Sequence, residues 1–393
     1  MKIAIEGQRL FRKNKHGMDF VALQLIRNLQ KIDQENEYFV FVKPGEDVCL
    51  EDTANFHIVP LSGATYPYWE QVVLPAAVKK YQCDLLHCTS NTAPLKVCVP
   101  LVVTIHDIIY LESLNHFRKR ASWYQRMGNI YRRWNVPFIL QRAQYVITVS
   151  GFEKATIAGR FPEYAGKIRA IYNGVSDQFK RIKDNEYLEE VKQKYQLPNN
   201  FIFHLGNTDP KKNTLNVFRA YDLYRKSSAS DPMPLVLLDY DRSRLKKELE
   251  RLGLSHLSDS IKLCGYVPND ELPAIYNLCN LFLYPSLRES FGLPILEAMK
   301  CGTPTITSNT SSMPEIAGDA AILVDPFSPE EIALGIEKVL SSKGKRMVLR
   351  EKGWKRTAAF SWEKMAGEVL DLYGMVLNIK ETGKVPEKVV DLV

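Results

Sequence analysis

The chain has 393 residues, 45% of them hydrophobic and 25% charged, a composition with material for more than one buried core that excludes a fibre, a disordered tail and a small disulfide-stapled domain. The formal net charge of +7 is unevenly placed: residues 1–180 hold 23 Lys and Arg against 16 Asp and Glu, and the remainder holds 29 of each. The first half is therefore the part expected to meet something anionic.

Short apolar, β-branched runs alternate with amphipathic segments along the whole chain, the pattern of βαβ units and a parallel sheet. Strands are predicted at Lys2–Gly7, Tyr38–Lys43, Phe56–Leu61, Asp84–Cys88, Leu101–His106, Tyr145–Ser150 and Lys167–Tyr172. Helical periodicity falls at Met18–Ile32, Trp69–Tyr81, Arg118–Arg142 and Phe152–Arg160. A polar stretch from Ser176 to Asn200 interrupts the alternation and reads as a linker. The pattern then restarts, with strands at Phe201–Leu205, Pro234–Asp239, Ile261–Tyr266, Leu281–Tyr284, Thr305–Ser308 and Ala321–Val324. Helices are predicted there at Leu215–Lys226, Ser243–Leu252, Asp270–Leu278, Pro294–Lys300 and Pro329–Ser341. The expected fold class is α/β: two facing Rossmann-like, doubly wound parallel-sheet domains, residues 1–180 and 198–360, with a ligand cleft between them.

Met1-Lys2-Ile3-Ala4-Ile5 reads as a first strand and no apolar run approaches the roughly 20 residues of a bilayer span, so a cytoplasmic chain is expected. The cysteines, Cys49, Cys83, Cys88, Cys98, Cys264, Cys279 and Cys301, are scattered without a Cys-x-x-Cys pair and read as reduced, mostly buried thiols. Cys83, Cys88 and Cys98 with His87 lack the spacing of a zinc site. No Gly-x-Gly-x-x-Gly after a strand stands out, and the cationic phosphate site described below makes a metal unnecessary, so neither a metal nor a cofactor is expected.

The densest signal runs from Tyr284 to Met299, Tyr-Pro-Ser-Leu-Arg-Glu-Ser-Phe-Gly-Leu-Pro-Ile-Leu-Glu-Ala-Met. A strand ends, a loop with Gly292 follows, and Pro294 opens a helix where its missing N–H costs nothing. The backbone N–H groups of Phe291, Gly292 and Leu293 and the positive helix end favour an anion such as phosphate above the strand. Glu289 and Glu297 flank that position and suit sugar hydroxyls. A diphosphate carrying vicinal hydroxyls, as in a nucleotide sugar, fits both halves of the arrangement.

This ordered set resembles the GT-B glycosyltransferases of family 4, the group 1 glycosyltransferases, whose best-known signature is Glu-x7-Glu, here Glu289 to Glu297. The resemblance continues through Cys301-Gly302-Thr303-Pro304, Met313-Pro314-Glu315-Ile316-Ala317-Gly318 and Leu323-Val324-Asp325-Pro326. It implies that Gly206 and Asn207 lie on the first loop of the donor domain and that Lys212 binds the donor diphosphate. Asn207 stands where some members carry arginine. Tyr266 and Val267 resemble the segment beside the nucleobase, and Ser290 belongs to the donor loop. His106, within Thr-Ile-His-Asp, resembles the histidine placed near the transferred sugar, and Gly17 and Met18 occupy the loop that faces donor and acceptor. Leu238-Asp239-Tyr240-Asp241-Arg242 departs from the glycines many relatives have at that place. Ser361-Trp362-Glu363 resembles the start of the C-terminal helix, about 362–380, that crosses back to the first domain.

The resemblance implies retaining transfer of a hexosyl unit from a UDP- or GDP-sugar to an acceptor hydroxyl, with Lys212, Glu289 and His106 as catalytic candidates and Glu297 on the ribose. A basic segment with interleaved aromatics, from Phe117 through Trp134, suits an anionic membrane surface or an ordinary solvated helix better than nucleic acid. A glycan or lipid-linked glycan acceptor, in polysaccharide or lipopolysaccharide synthesis, follows as an expectation from charge and family. A nucleotide-sugar epimerase, a glycan phosphorylase, a non-catalytic nucleotide-sugar-binding protein and an NAD-dependent oxidoreductase are the alternatives that tandem α/β sheets leave open.

Overall fold

The computed structural model describes residues 1–13, 15–112, 123–206, 209–228 and 231–382. Two compact units result: Met1–Gly174 together with the chain from Trp362 onward, and Val175–Ser361.

In the first unit the apolar runs become strands β1 (Lys2–Gly7), β2 (Glu37–Val42), β3 (Phe56–Pro60), β4 (Leu85–Cys88), β5 (Leu101–Thr104), β6 (Tyr145–Thr148) and β7 (Ile168–Ala170). They form one parallel sheet of order β3-β2-β1-β4-β5-β6-β7, with Ile3 opposite Tyr38 on one side and Leu85 on the other. Helices cover both faces, which is why these strands are continuous apolar runs instead of alternating ones. The direction of winding reverses between β1 and β4, and such a switch point opens a crevice at the carboxyl ends of the two strands. Helix Gly17–Ile32 packs beside helix Trp362–Thr382. Phe20 meets Trp362 edge-on at 5.8 Å, and the Tyr373 hydroxyl lies 2.6 Å from His87 Nδ1 beneath the sheet. Met365, Val369, Leu372, Tyr373 and Val376 are buried there, so the last helix is part of the first unit's core. The predicted helix 69–81 is a composite, in which the π-helical turn Trp69–Val73 sits between short α-helical segments.

The second unit repeats the plan with β8 (Ile202–His204), β9 (Leu235–Leu237), β10 (Ile261–Leu263), β11 (Leu281–Tyr284), β12 (Thr305–Ser308) and β13 (Ile322–Val324), ordered β10-β9-β8-β11-β12-β13. Its switch point lies between β8 and β11. Strands β8 to β10 stop short of their predicted ends. In β10 the cause is local, since Gly265 takes φ +69, where an extended run cannot continue.

The stretch 176–200 is not the free linker that its composition suggests. It forms helix Asn185–Lys194, and the second unit holds it through Lys194 Nζ to Glu271 Oε1 at 2.6 Å, Tyr195 OH to Glu271 Oε2 at 2.6 Å and Ile182 N–H to Asn277 Oδ1 at 3.0 Å. Helix Lys343–Thr357 is also present without a sequence expectation. No helix among the described residues is long and apolar enough to cross a membrane.

Candidate active site

The switch point of the second sheet gathers a largely buried polar cluster. Strand β8 ends at His204, and the next residues lead to the short turn Pro210–Lys212. Strand β11 ends at Tyr284 and opens the loop that carries Glu289. Lys212 Nζ reaches Tyr284 OH at 2.6 Å and Glu289 Oε1 at 2.8 Å, and Tyr284 OH is 2.9 Å from the same carboxylate oxygen. The ammonium also lies 4.8 Å from the centre of the Tyr284 ring. Burial works against the charged lysine, but Glu289 and Tyr284 more than reverse it, and Lys212 is held above the ordinary lysine value. Burial would likewise raise Glu289, yet Lys212 keeps it below the ordinary carboxylate value. The pair is thus ionised and preorganised, with 16% and 17% of the two side chains still exposed.

The loop 285–292 is held from three directions. Leu287 N–H donates to the Lys211 carbonyl at 2.8 Å, and Asn213 Nδ2 donates to the Pro285 carbonyl at 3.0 Å. Ser308, the last residue of β12, bonds the Ser286 carbonyl, and from beyond the strand Ser311 and Ser312 bond that of Glu289, Ser312 also bonding that of Phe291. Glu289 N–H returns a bond to Ser311 Oγ at 3.1 Å. A carboxylate on a loop anchored in this way keeps its aim, which a binding group needs.

Gly292, at φ +104, turns the chain into helix Leu293–Lys300 with Pro294 in its first turn. The positive end of this helix opens beside Glu289. Phe291 is buried and its ring faces Phe360 at 6.0 Å, so its side chain belongs to the core and only its backbone faces the loop. Glu297 lies one turn into the helix and accepts a hydrogen bond from Tyr276 OH at 3.1 Å. Burial raises its pKa to about 7, and the Tyr276 bond and the Lys212 charge only partly offset this.

The other predicted residues fall as follows. Gly206 is buried, and a Cβ there would stand 2.5 Å from His204 Cδ2, so only glycine fits. Asn207 lies outside the described residues. Val267 is buried while Tyr266 is 76% exposed on the segment after β10; no described contact joins either to the Lys212 cluster. Ser290 sits on the anchored loop between Glu289 and Phe291.

In the first unit His106 follows β5 and is 5% exposed. Its backbone N–H donates to Asn91 Oδ1 at 2.6 Å, and its Nε2 lies 3.0 Å from the Thr89 carbonyl. A carbonyl can only accept, so the proton sits on Nε2 and Nδ1 remains an acceptor. Burial pushes its pKa below the ordinary histidine value, which makes it a neutral imidazole at neutral pH. Gly17 and Met18 begin helix Gly17–Ile32, where Asp19 caps the His16 N–H at 3.0 Å and pairs with Arg9 at 2.8 Å. A Cβ on Gly17 would meet nothing within 4 Å. Two partners went unread in the sequence, Tyr284 and Tyr276. Each closes or lines an apolar run and looks like a core residue until its hydroxyl is placed. Among the described residues no three His, Cys, Asp or Glu side chains gather as a metal site would require.

Residues 184–356 match the family described as glycosyl transferases group 1, and residues 16–179 match glycosyltransferase family 4. The O-antigen chain mannosyltransferase B of Escherichia coli is 31% identical over 280 residues, 70% of each chain. Among solved structures, sucrose-phosphate synthase of Thermosynechococcus elongatus superposes with TM-score 0.73 at 20% identity, covering 96% of this chain and 99% of that one. Anabaena HepE, solved in complex with UDP and glucose, gives TM-score 0.69 at 19% identity over 95% of this chain and 99% of its own. Sequence kinship over both sheets and a shared tandem parallel-sheet fold together place this chain in the group 1, or family 4, glycosyltransferases, and it is a glycosyltransferase.

Proposed function

We propose that the protein transfers a hexosyl unit, mannosyl in first place, from a nucleotide diphosphate-sugar to the hydroxyl of a glycan or lipid-linked glycan acceptor, with retention and without a metal ion. The observation that carries this reading is the Lys212–Tyr284–Glu289 triangle at the second sheet's switch point, beside the positive end of helix Leu293–Lys300. Departure of the nucleotide diphosphate leaves negative charge on its terminal phosphate, and groups preorganised to meet that charge supply most of the rate. Lys212 and the helix end are such groups, and they supply the positive charge that a metal would otherwise bring. A diphosphate arriving here takes over part of the Lys212 charge and releases Glu289 to the sugar hydroxyls. Glu297 accepts from the ribose diol. His106 is assigned to the reacting sugar and Gly17 with Met18 to the acceptor side on the family resemblance. Mannose is favoured because the Escherichia coli relative is a mannosyltransferase of an O-antigen chain, and HepE, crystallised with UDP and glucose, shares the fold.

The test is thermal stabilisation by UDP, GDP and ADP, followed by transfer from labelled hexose donors carrying the stabilising base. One nucleoside diphosphate should raise the melting temperature in the wild type and fail to do so in Lys212→Ala and Glu297→Ala. Equal stabilisation of both variants and the wild type would remove the donor site from this position.

A further inference from the structure

Helix Trp123–Arg142 buries Val136, Ile139 and Leu140 on one side, while the opposite side leaves Met127, Ile130, Trp134 and Phe138 exposed by 47, 58, 50 and 50%. At about 100° per residue these four fall within roughly 80° of one another and form one stripe about 16 Å long. The rings run on along it, Trp134 to Phe138 at 5.8 Å and Tyr131 to Trp134 at 6.1 Å. Single exposed apolar residues need no explanation, but a continuous stripe marks a contact surface.

Its charge is of one sign. From Arg126 to Arg142 the sequence holds Arg126, Arg132, Arg133 and Arg142 and no Asp or Glu; Arg118-Lys119-Arg120 of the predicted basic segment lies outside the described residues. Arg126 and Arg133 project along one edge of the stripe. Arg132, Arg133 and Arg142 bond the backbone carbonyls of Gly128, Tyr110 and Val97, neutral acceptors that leave their charge standing. Tyr110 lies four residues beyond His106, so this helix is anchored to the segment that leaves the carboxyl edge of the first sheet.

We propose that this face docks the protein on an anionic bilayer, the helix lying in the plane of the interface. Met127, Ile130, Trp134 and Phe138 enter the boundary between headgroups and acyl chains, and Arg126 and Arg133 meet the lipid phosphates. An apolar stripe with aromatic rings and a basic edge matches that layered environment. A second copy does not suit it, because a symmetric contact would set the arginines against arginines. The docking needs nothing from the transferase reading. With that reading in place, an acceptor anchored in the bilayer is presented beside the edge that carries His106.

The experiment is flotation of the full chain with vesicles of phosphatidylcholine plus phosphatidylglycerol, against phosphatidylcholine alone. The wild type should float with the anionic vesicles and largely detach at about 0.5 M salt. Trp134→Ser/Phe138→Ser should lower the partition coefficient at least tenfold, and Arg126→Gln/Arg133→Gln about thirtyfold. Trp134→Ser/Phe138→Ser should keep the wild-type melting curve, Arg126→Gln/Arg133→Gln should melt somewhat lower for loss of the Arg133–Tyr110 bond, and both should keep transfer to a soluble acceptor. Failure of the wild type to float, or flotation unchanged in both double variants, overturns the proposal. So does a concentration-dependent dimer, seen by light scattering, that Trp134→Ser/Phe138→Ser abolishes while vesicles capture nothing. Flotation by a protein that turns over no nucleotide sugar would uphold the surface and sink the reaction.

Discussion

Tyr276 donates its hydroxyl to Glu297 Oε2 at 3.1 Å from a pocket whose walls include the rings of Phe179, Phe203 and Phe282. The second carboxylate of the Glu-x7-Glu signature is therefore held by a phenol in an apolar wall, and burial raises its pKa to about 7 from an ordinary 4.5. Between those values the native state keeps a proton that the unfolded chain has released. This group's stabilising contribution is therefore full at or below pH 4.5 and falls as pH rises to 7.

Glu297→Gln should accordingly stabilise the protein at pH 8 by about 1–3 kcal/mol in urea unfolding and yet weaken nucleoside diphosphate binding by tenfold or more. Wild-type affinity should rise from pH 6 to pH 8, because the ionised carboxylate is the better acceptor for hydroxyls. A pH-independent affinity would count against the ribose contact.

Lys212 and Glu289 neutralise each other in the ligand-free protein, so removing one strands the other. Lys212→Met should cost about 2–4 kcal/mol in urea unfolding, and adding Glu289→Gln should recover a good part of it. Tyr284→Phe keeps the ion pair and loses two hydrogen bonds, a cost of about 1–2 kcal/mol. If the three effects simply add, the residues do not act as a unit.

Two glycines, Gly206 of the second unit and Gly17 of the first, make opposite demands. Gly206→Ala pushes a methyl into the His204 imidazole, itself held by the Leu283 carbonyl at 2.8 Å and Thr214 at 3.2 Å. It should cost about 2–4 kcal/mol. Gly17→Ala meets nothing within 4 Å at the start of a helix and should leave the melting temperature level or raised. A loss of transfer in Gly17→Ala at full stability would locate the need for glycine in the substrate.

Burial lowers the pKa of His87 to about 3 and of His204 to about 4. Both stay neutral in the native state while the unfolded chain binds protons below about pH 6.5. Stability from each is complete above that value and lost as pH falls, by on the order of 2 kcal/mol per histidine at pH 4.5. His87→Gln should flatten the acid limb of a melting temperature against pH profile while lowering it at neutral pH.

The parallel sheets were legible because a strand buried on both faces writes itself as an unbroken apolar run, as in Leu281–Tyr284 and Thr305–Ser308. Helices whose hold comes from polar contacts were not. Asn185–Lys194 has few apolar anchors and is fixed by Glu271, nearly eighty residues away. Lys343–Thr357 carries Gly353, which looks like a helix breaker until a Cβ there is placed 3.2 Å from Met299 Cβ. The same division runs through the candidate site. Glu289, Gly292 and Glu297 stand out by spacing, whereas Tyr284 and Tyr276 disappear into strand and core because the sequence displays a ring and conceals where its hydroxyl points.

One consequence concerns synthesis. The second unit is continuous in the chain, but the first is finished by helix Trp362–Thr382, whose Trp362 packs on Phe20 and whose Tyr373 reaches His87. A ribosome therefore releases the opening 174 residues with the outer side of helix Gly17–Ile32 uncovered, and that side stays bare throughout translation of the entire second unit. The half made first is the half completed last. Nascent chains stalled before Trp362 should yield a protected second unit and a protease-sensitive first one.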